Sequence, residues 1–138
     1  MIHTLAKWIG TFPGWHGQRV TVNSLCQKTG SVGIFSKGTQ VLEEKTDIMG
    51  NRKEHCRHSF ILRFRAPAFS GDGYDVAVNF QRWVQQHNAL GLAPRFGDIP
   101  THSYIQTSGG KAEGTDGTDA VTYTVELTAD YIKIYEVK

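Results

Sequence analysis

The sequence lacks the features that define secreted, membrane-spanning and disulfide-stapled chains. Only two of its 138 residues are cysteines, Cys26 and Cys56, too few for the disulfide framework of a small secreted domain. No apolar run is long enough to span a bilayer, and residues 1–12 are amphipathic, unlike the continuously apolar segment of a secretion signal. We therefore expect both thiols to be reduced and the chain to fold in the cytoplasm without a membrane partner.

An excess of charge of either sign is also missing. The formal net charge is only +2, which argues against a general nucleic-acid binder. Hydrophobic residues make up 39% and charged residues 20% of the chain, values that are ordinary for a globular protein. A chain of 138 residues can bury a core without metal or disulfide support, so we predict one domain over residues 1–138.

Three glycine-containing segments resemble ligand-binding loops but lack the features that hold the ligand. Residues 70–76 lack the third glycine of a dinucleotide fingerprint, and Asp72 and Asp75 would repel a pyrophosphate at the helix start. Residues 108–111 place a lysine after glycines without the spacing of a phosphate loop. Residues 116–119 are too short for a calcium loop. We therefore expect an N-capped helix at the first segment and a turn at the second.

The histidines and cysteines do not form a convincing metal or nucleophile site. His55 and His58 point to opposite faces of a strand, so they cannot bind one metal ion together. Cys56 could share a face with His58, but two further ligands would have to come from elsewhere, with distant Cys26 as one candidate. The same pair lacks a third group to orient a base. We predict no catalytic residue, no metal and no cofactor, and keep a small enzyme or ligand-binding module as the alternative.

Hydrophobic periodicity predicts both helices and strands. Apolar residues at helical spacing predict amphipathic helices, and two-residue alternation predicts strands. The expected helices span residues 2–12 and 74–89, and Gly91 ends the second. The expected strands span residues 18–25, 40–47, 52–65 and 101–107, and the expected loops span residues 30–38 and 108–119.

The last strand carries the clearest pattern in the chain. From residue 121 to residue 129 apolar and polar side chains alternate, which gives one apolar face and one wet face rich in threonine. Beyond Asp130 the phase reverses, because Ile132 and Ile134 become the apolar pair. We expect a β-bulge or a short break near Asp130. The wet face would be available to water or to another subunit.

Two of the strands should form a hairpin that protrudes at its turn. A type II′ turn at residues 49–51 would place Val41 opposite Phe60 and Glu44 opposite Arg57. The second strand begins polar and becomes apolar, so it should dock in the core at one end only. An attractive Glu–Arg pair across the strands supports this register.

Several residues are candidates for contacts with other subunits or partners. Residues 52–65 hold five basic residues and one acid, which indicates either a solvated strand face or a contact with an acidic partner. Trp15 lies on a loop, where it is either a lid on the core or an exposed interface anchor. The glycine-rich residues 108–119 should project from the fold. The candidate contacts are Trp15, Glu43, Glu44, Arg52, Lys53, Arg57 and Lys111.

Several segments, in their order and spacing, resemble one known family. They are WIGTFPGW at 8–15, GIFSKG at 33–38, DIMGN at 47–51, SFILRF at 59–64, FQRWV at 80–84, GLAPRFGD at 91–98 and AVTYTVELTA at 120–129. Together they resemble the small minor capsid proteins of tailed phages and prophages of Gram-positive bacteria. These proteins are similar in plan to phage tail terminator, or tail completion, proteins.

The resemblance implies an α+β fold, with a mainly antiparallel sheet, two helices packed on one side and a long protruding hairpin. It implies a structural protein of the virion tail and neck, assembled in the host cytoplasm as a hexameric ring that caps the tail tube and joins the head. The implied partners are further copies of the chain, the major tail tube protein, the head-tail connector or stopper protein and, in a contractile tail, the sheath protein. Genome DNA would pass through the ring without specific binding. Another neck component, a stopper or an adaptor, is the alternative, and no catalytic residue is implied.

Overall fold

Two helices and six strands make up the residues that the computed structural model describes, which are 1–25, 30–67, 72–108, 110–115 and 120–137. The helices are α1 (Ile2–Ile9) and α2 (Asp72–Leu90), and 3-10 turns lie at Pro13–Trp15 and Pro100–His102. The strands are β1 (Val20–Val22), β2 (Val32–Thr46), β3 (Arg52–Pro67), β4 (Tyr104–Thr107), β5 (Lys111–Thr115) and β6 (Ala120–Tyr135). The expected α+β class is confirmed.

One mainly antiparallel sheet contains all six strands. Its order is β1-β2-β3-β6-β4, and β5 also pairs with β6. Only β1 and β2 run parallel among these pairs, and β1 contacts residues 32–34 of β2 alone. Within the described residues, the outer edge of β2 beyond this contact is therefore unpaired.

Both helices pack on one face of the sheet. Alternate residues of β3 and β6 point toward this face, where they meet the apolar stripes of the helices. The buried residues at this contact include Leu5, Ile9, Phe60, Leu62, Phe64, Phe80, Val84, Val125 and Leu127. The rings of Trp8 and Trp83 stack with centroids 4.8 Å apart, and Trp8 Nε1–H donates to His87 Nδ1 at 3.0 Å. The expected stripe of α2 is thus confirmed, and it joins the two helices.

The β2–β3 hairpin does not turn in the expected way. Asp47 N–H donates to the Asn51 carbonyl oxygen at 2.9 Å, which leaves a loop of residues 48–50. Gly50 has a φ of 89°, the left-handed conformation that closes a three-residue hairpin loop. The Asp47 carboxylate accepts hydrogen bonds from Asn51 N–H at 2.9 Å and from Asn51 Nδ2 at 3.1 Å. These bonds hold the loop in place of a type II′ turn.

The register of the hairpin therefore differs from the expected one. Because the loop has a different length and position, Glu44 lies opposite Glu54 and not opposite Arg57. Val41 lies opposite Cys56 instead of a core phenylalanine. The predicted attractive pair between Glu44 and Arg57 is therefore wrong, and the carboxylates of Glu44 and Glu54 lie opposite each other instead.

Two expected loops contain strand. Val32 and Ile34 are buried core residues of β2, so the loop expected at residues 30–38 is wrong. Register shifts at residues 36–38 and 41–43 interrupt β2, which hides its alternation in the sequence. Strand β5 occupies part of the loop expected at 108–119 and pairs with β6. Residues 109 and 116–119 of that loop lie outside the described residues.

Strand β6 is continuous through the point where its pattern reverses. It pairs with β3 in one unbroken register, so the bulge or break expected near Asp130 is wrong. The helices cover the face that carries Val125 and Leu127. Farther along the strand, the segment after α2 runs beside β6, on the edge opposite β3. There Gly97 bridges to Ile132, and Asp98 N–H donates to the Ile132 carbonyl oxygen at 2.7 Å.

We expect Gly97→Ala to destabilise the fold more than Gly17→Ala. Both glycines have a positive φ, 80° and 81°, so each alanine introduces conformational strain of about 1–2 kcal/mol. A methyl group at Gly97 would also lie 2.4 Å from the Ile132 carbonyl oxygen, whereas nothing lies within 4 Å at Gly17. The total for Gly97→Ala should reach about 3 kcal/mol. Urea unfolding of both variants measures the difference. Equal losses of unfolding free energy would show that the segment containing Gly97 is loosely held against β6.

Candidate functional site

The distal halves of three long strands extend outside the hydrophobic core. We call residues 36–46, 52–59 and 128–135 the distal arm. Every residue of β2 in this arm is exposed. β6 pairs along β3 throughout the arm, so the arm has three strands and not the two expected from the sequence. The arm is the candidate assembly surface of the protein.

A buried ion pair within the arm links β3 to β6, and Tyr104 of β4 contacts it. Asp130 is 0% exposed, and Arg57 Nε and Nη2 donate to its two carboxylate oxygens at 2.8 and 2.9 Å. The Tyr104 side chain also hydrogen-bonds Asp130, and His55 Nε2 lies 3.6 Å from Asp130 Oδ2. Burial opposes ionisation of Asp130, but the hydrogen bonds from Arg57 and Tyr104 prevail and lower its pKa below the ordinary value.

This network changes the role of one candidate contact residue. Arg57 belongs to β3, Asp130 to β6 and Tyr104 to β4, so the pair ties three adjacent strands together. The Arg57 side chain is 35% exposed, but its guanidinium is committed to Asp130, and this contact raises the pKa of Arg57. The fold therefore uses the charge of Arg57, and its contact with another subunit stays a prediction.

The opposite face of the arm carries aromatic and charged side chains. The Arg52 guanidinium lies 4.7 Å from the centroid of the Tyr135 ring, and its Nη2 lies 3.8 Å from Glu54. The Tyr135 hydroxyl hydrogen-bonds Glu54, which raises the pKa of that tyrosine. Burial, together with the Glu54 carboxylate, raises the pKa of the Cys56 thiol. Cys56 is therefore a protonated, buried thiol rather than a nucleophile.

Trp15 is a core residue, so its assignment as a candidate contact is wrong. It is only 6% exposed, and its Nε1–H donates to the Ile9 carbonyl oxygen at 3.0 Å. Its ring meets Phe12 edge-on at 5.0 Å and lies 5.2 Å from Phe64 and 5.6 Å from Phe80. The alternative that Trp15 is a lid on the core is confirmed.

The remaining candidate contacts are exposed. Glu43 lies 3.3 Å from Lys45 on the same strand, and Glu44 lies 3.6 Å from Arg52 Nε. Lys53 lies opposite Lys45 on the arm. Lys111 lies on β5, at the other edge of the sheet and away from the hairpin. Exposed ion pairs of this kind contribute little to folding, so these charges are available for a partner.

The tip of the arm carries apolar side chains that the sequence analysis did not select. Ile48 is fully exposed, and Met49 is 77% exposed. The loop needs only the positive φ of Gly50 and the cap from Asp47, so its geometry does not require apolar residues at the two positions between them. A signal was present in the sequence, since Ile-Met between aspartate and glycine is unusual in a turn.

One further arrangement resembles a catalytic pair. His58 Nε2 lies 2.7 Å from Ser36 Oγ, and His58 Nδ1 lies 2.7 Å from Thr39 Oγ1. Burial and the chain's N-terminal charge lower the pKa of His58, so the ring is neutral at neutral pH. The third group is a hydroxyl, which cannot offset the charge that a base acquires when it takes a proton. The ring also stacks on Phe60 at 4.4 Å, so this trio fixes the bulged strand.

The described ranges contain no group of three or more His, Cys, Asp or Glu side chains that could hold a metal ion. Among the helices of these ranges, none is both long and apolar enough to cross a membrane.

No protein-family model matches the chain, and no curated protein is significantly similar to it.

Proposed function

We propose that this chain is a structural subunit of a phage tail: a tail terminator that forms a hexameric ring, caps the tail tube and provides the joint to the head connector. The observation that carries the proposal is the distal arm. Its β2 residues are exposed, and the outer edge of β2 is unpaired beyond residues 32–34 in the described part of the chain. A ring subunit needs such a surface, because it must reach a neighbour without giving up its own core.

In the proposed ring the arm would supply one of two different contact surfaces. Subunits in a ring make head-to-tail contacts, in which two different surfaces of each copy meet. The exposed arm lies at one end of the sheet and the helices lie on one face of it. The proposal that the ring is a tail terminator rests on the family resemblance of the sequence. We also propose that the protein has no catalytic role.

The proposed partners follow from the family resemblance of the sequence. The ring would bind the major tail tube protein on one side and the head-tail connector or stopper protein on the other, with a sheath protein added in a contractile tail. The protein would assemble in the host cytoplasm and remain in the virion neck. A stopper or adaptor is the alternative, and the two differ in phenotype. Loss of a terminator leaves tails of uncontrolled length, whereas loss of a stopper leaves normal tails without heads.

We expect the dilute protein to be monomeric or weakly associated and to form a six-fold ring on a tail tube. Most exposed side chains of the arm strand β2 are charged or polar and only a few of them are apolar, which suits conditional rather than obligate association. Light scattering combined with electron microscopy of assembled tails measures both states. A stable dimer that never forms rings would contradict the proposal.

Reversing the charge of two arm residues should block assembly without unfolding the subunit. Arg52→Glu with Lys53→Glu should lower the free energy of unfolding by less than about 2 kcal/mol, because both side chains are exposed. Ring formation or tail completion should nevertheless fail. Arg57 is left unchanged, because its charge stabilises the fold.

The matched control makes the same charge change on the body of the domain. Lys7→Glu with Arg19→Glu reverses two exposed basic residues outside the arm. This control should complete tails normally. Normal particles from the arm variant would show that its charges are only a solvated surface, and equal failure of both variants would indicate a general charge effect.

A further inference from the structure

The apolar tip of the distal arm is the most exposed hydrophobic feature of the described residues. Ile48 is fully exposed and Met49 is 77% exposed, at the end of a hairpin that two bonds from Asp47 to Asn51 hold in shape. The tip is therefore exposed and held in one conformation, and we call Ile48 and Met49 the knob. Transfer of these two apolar side chains from water to an apolar surface is favourable. The tip is therefore expected to bind such a surface.

The same chain presents an apolar surface elsewhere that could receive the knob. Leu90 and Leu92 are 63% and 60% exposed at the end of α2. Leu92 N–H donates to the His87 carbonyl oxygen at 2.9 Å, and Gly91 N–H donates to the Asn88 carbonyl oxygen at 3.3 Å. These bonds form the paired cap of a Schellman motif, which fixes the backbone that carries both leucines. We call Leu90 and Leu92 the leucine patch.

We propose that the tip of the distal arm, Ile48 and Met49, docks on the leucine patch of a second copy of this chain. Both surfaces are exposed within one chain, so neither covers the other there. Their charges also match, because Asp47 adjoins the tip and the Arg95 guanidinium lies beside Gly91 in the patch. A second copy is the one partner that is certain to carry both halves of this contact.

In the proposed ring, this contact is head-to-tail. After one such contact, one copy keeps a free patch and its neighbour keeps a free knob, so further copies can add at both ends. A reciprocal exchange of tips between two copies would instead close a dimer. A two-fold symmetric dimer that pairs tip with tip would leave the patch uncovered. The inference deepens the proposed ring function and rests on it, since it names the surfaces through which neighbouring copies in the ring would meet.

Photo-crosslinking locates the partner of the tip directly. Met49 is replaced by p-benzoylphenylalanine, and the purified full chain is mixed with isotope-labelled protein at the highest soluble concentration. Mass spectrometry then identifies peptides joined between a labelled and an unlabelled copy. We expect the tip to crosslink to the peptide that contains residues 86–95.

Two outcomes would overturn the inference, one from the crosslinking and one from a vesicle-binding assay. Crosslinks between copies that fall on another tip, or on any surface other than the leucine patch, would refute this contact and leave the proposed ring intact. The second outcome is binding of the chain to lipid vesicles that Ile48→Ser with Met49→Ser abolishes, because the tip would then serve a bilayer. Failure of the proposed function would instead appear as normal tails in cells that lack the chain.

Sedimentation tests the energetic part of the same inference. Ile48→Ser with Met49→Ser, and separately Leu90→Ser with Leu92→Ser, should each weaken self-association at least about tenfold. Tyr74→Ser is the control, since Tyr74 is 60% exposed at the opposite end of α2. Unchanged self-association of both double variants would overturn the inference, and thermal melts establish that all variants remain folded.

Discussion

Leu127→Asp should leave the protein unfolded under conditions in which the wild-type chain is folded. Leu127 is 1% exposed on β6, where it lies opposite Phe60 within the hydrophobic core. Loss of a buried leucine side chain alone costs about 2–5 kcal/mol. An unpaired carboxylate in its place adds a desolvation cost, and the whole stability of such a domain is only about 5–15 kcal/mol. Val125→Asp should behave in the same way, because Val125 is also fully buried.

The neighbouring residue provides the matched control. Glu126 is exposed on the other face of the same strand, and its carboxylate lies 3.8 Å from Lys37. Glu126→Lys should therefore cost less than about 1 kcal/mol. Thr124 is a poorer control than the alternation of the sequence suggests, because its Oγ1 is buried. Thermal melts followed by circular dichroism decide the comparison, and similar losses for Leu127→Asp and Glu126→Lys would mean that the buried face is misassigned.

Arg57→Met should destabilise the fold by about 3–5 kcal/mol at neutral pH. The methionine keeps most of the side-chain volume but leaves the fully buried Asp130 carboxylate without its bidentate partner. Arg52→Met, on the same strand, is the control. Arg52 is exposed and its ion pairs are weak, so this change should cost less than about 1 kcal/mol. Urea unfolding of both variants gives the comparison.

The pH dependence distinguishes an electrostatic loss from a packing loss. In the wild-type protein the pKa of Asp130 is below its unfolded value of 3.8, so its contribution is present above that pH and is lost as the pH falls further. In Arg57→Met, burial is no longer offset and the pKa of Asp130 should rise. The variant should therefore lose stability as the pH rises from acid to neutral. A difference between variant and wild type that stays constant with pH would show that lost packing explains the effect.

The apolar periodicity of the sequence predicted the helices and the core face correctly. The stripe of α2 and the alternation of residues 121–129 are local patterns, and each faces a single packing layer. Sequence reasoning failed at the point near Asp130 where the apolar pattern reverses. Ile132 belongs to the same unbroken strand as Leu127, and residues 97 and 98 pair with its backbone along the edge of β6 opposite β3. Nothing local in the sequence shows that such a distant segment will pair with a given part of a strand.

The candidate site was predicted only in part for a related reason. The charged residues of the hairpin were correctly expected to lie on a protruding element, because their clustering is visible in sequence. The ion pair of Arg57 was not predicted, because its partner Asp130 lies 73 positions away and the pair depends on the long-range register of β3 with β6. Trp15 was ambiguous, because its hydrogen bond to Ile9 depends on the 3-10 turn between them.

The most direct test of the proposed function is the structure of tails made without this protein. The gene is deleted from its source genome, and any phage tails that are produced are imaged by electron microscopy with and without a plasmid copy. We predict tails of uncontrolled length that do not join heads, with normal particles restored by the plasmid. Tails of normal length attached to filled heads in the deletion strain would contradict the account.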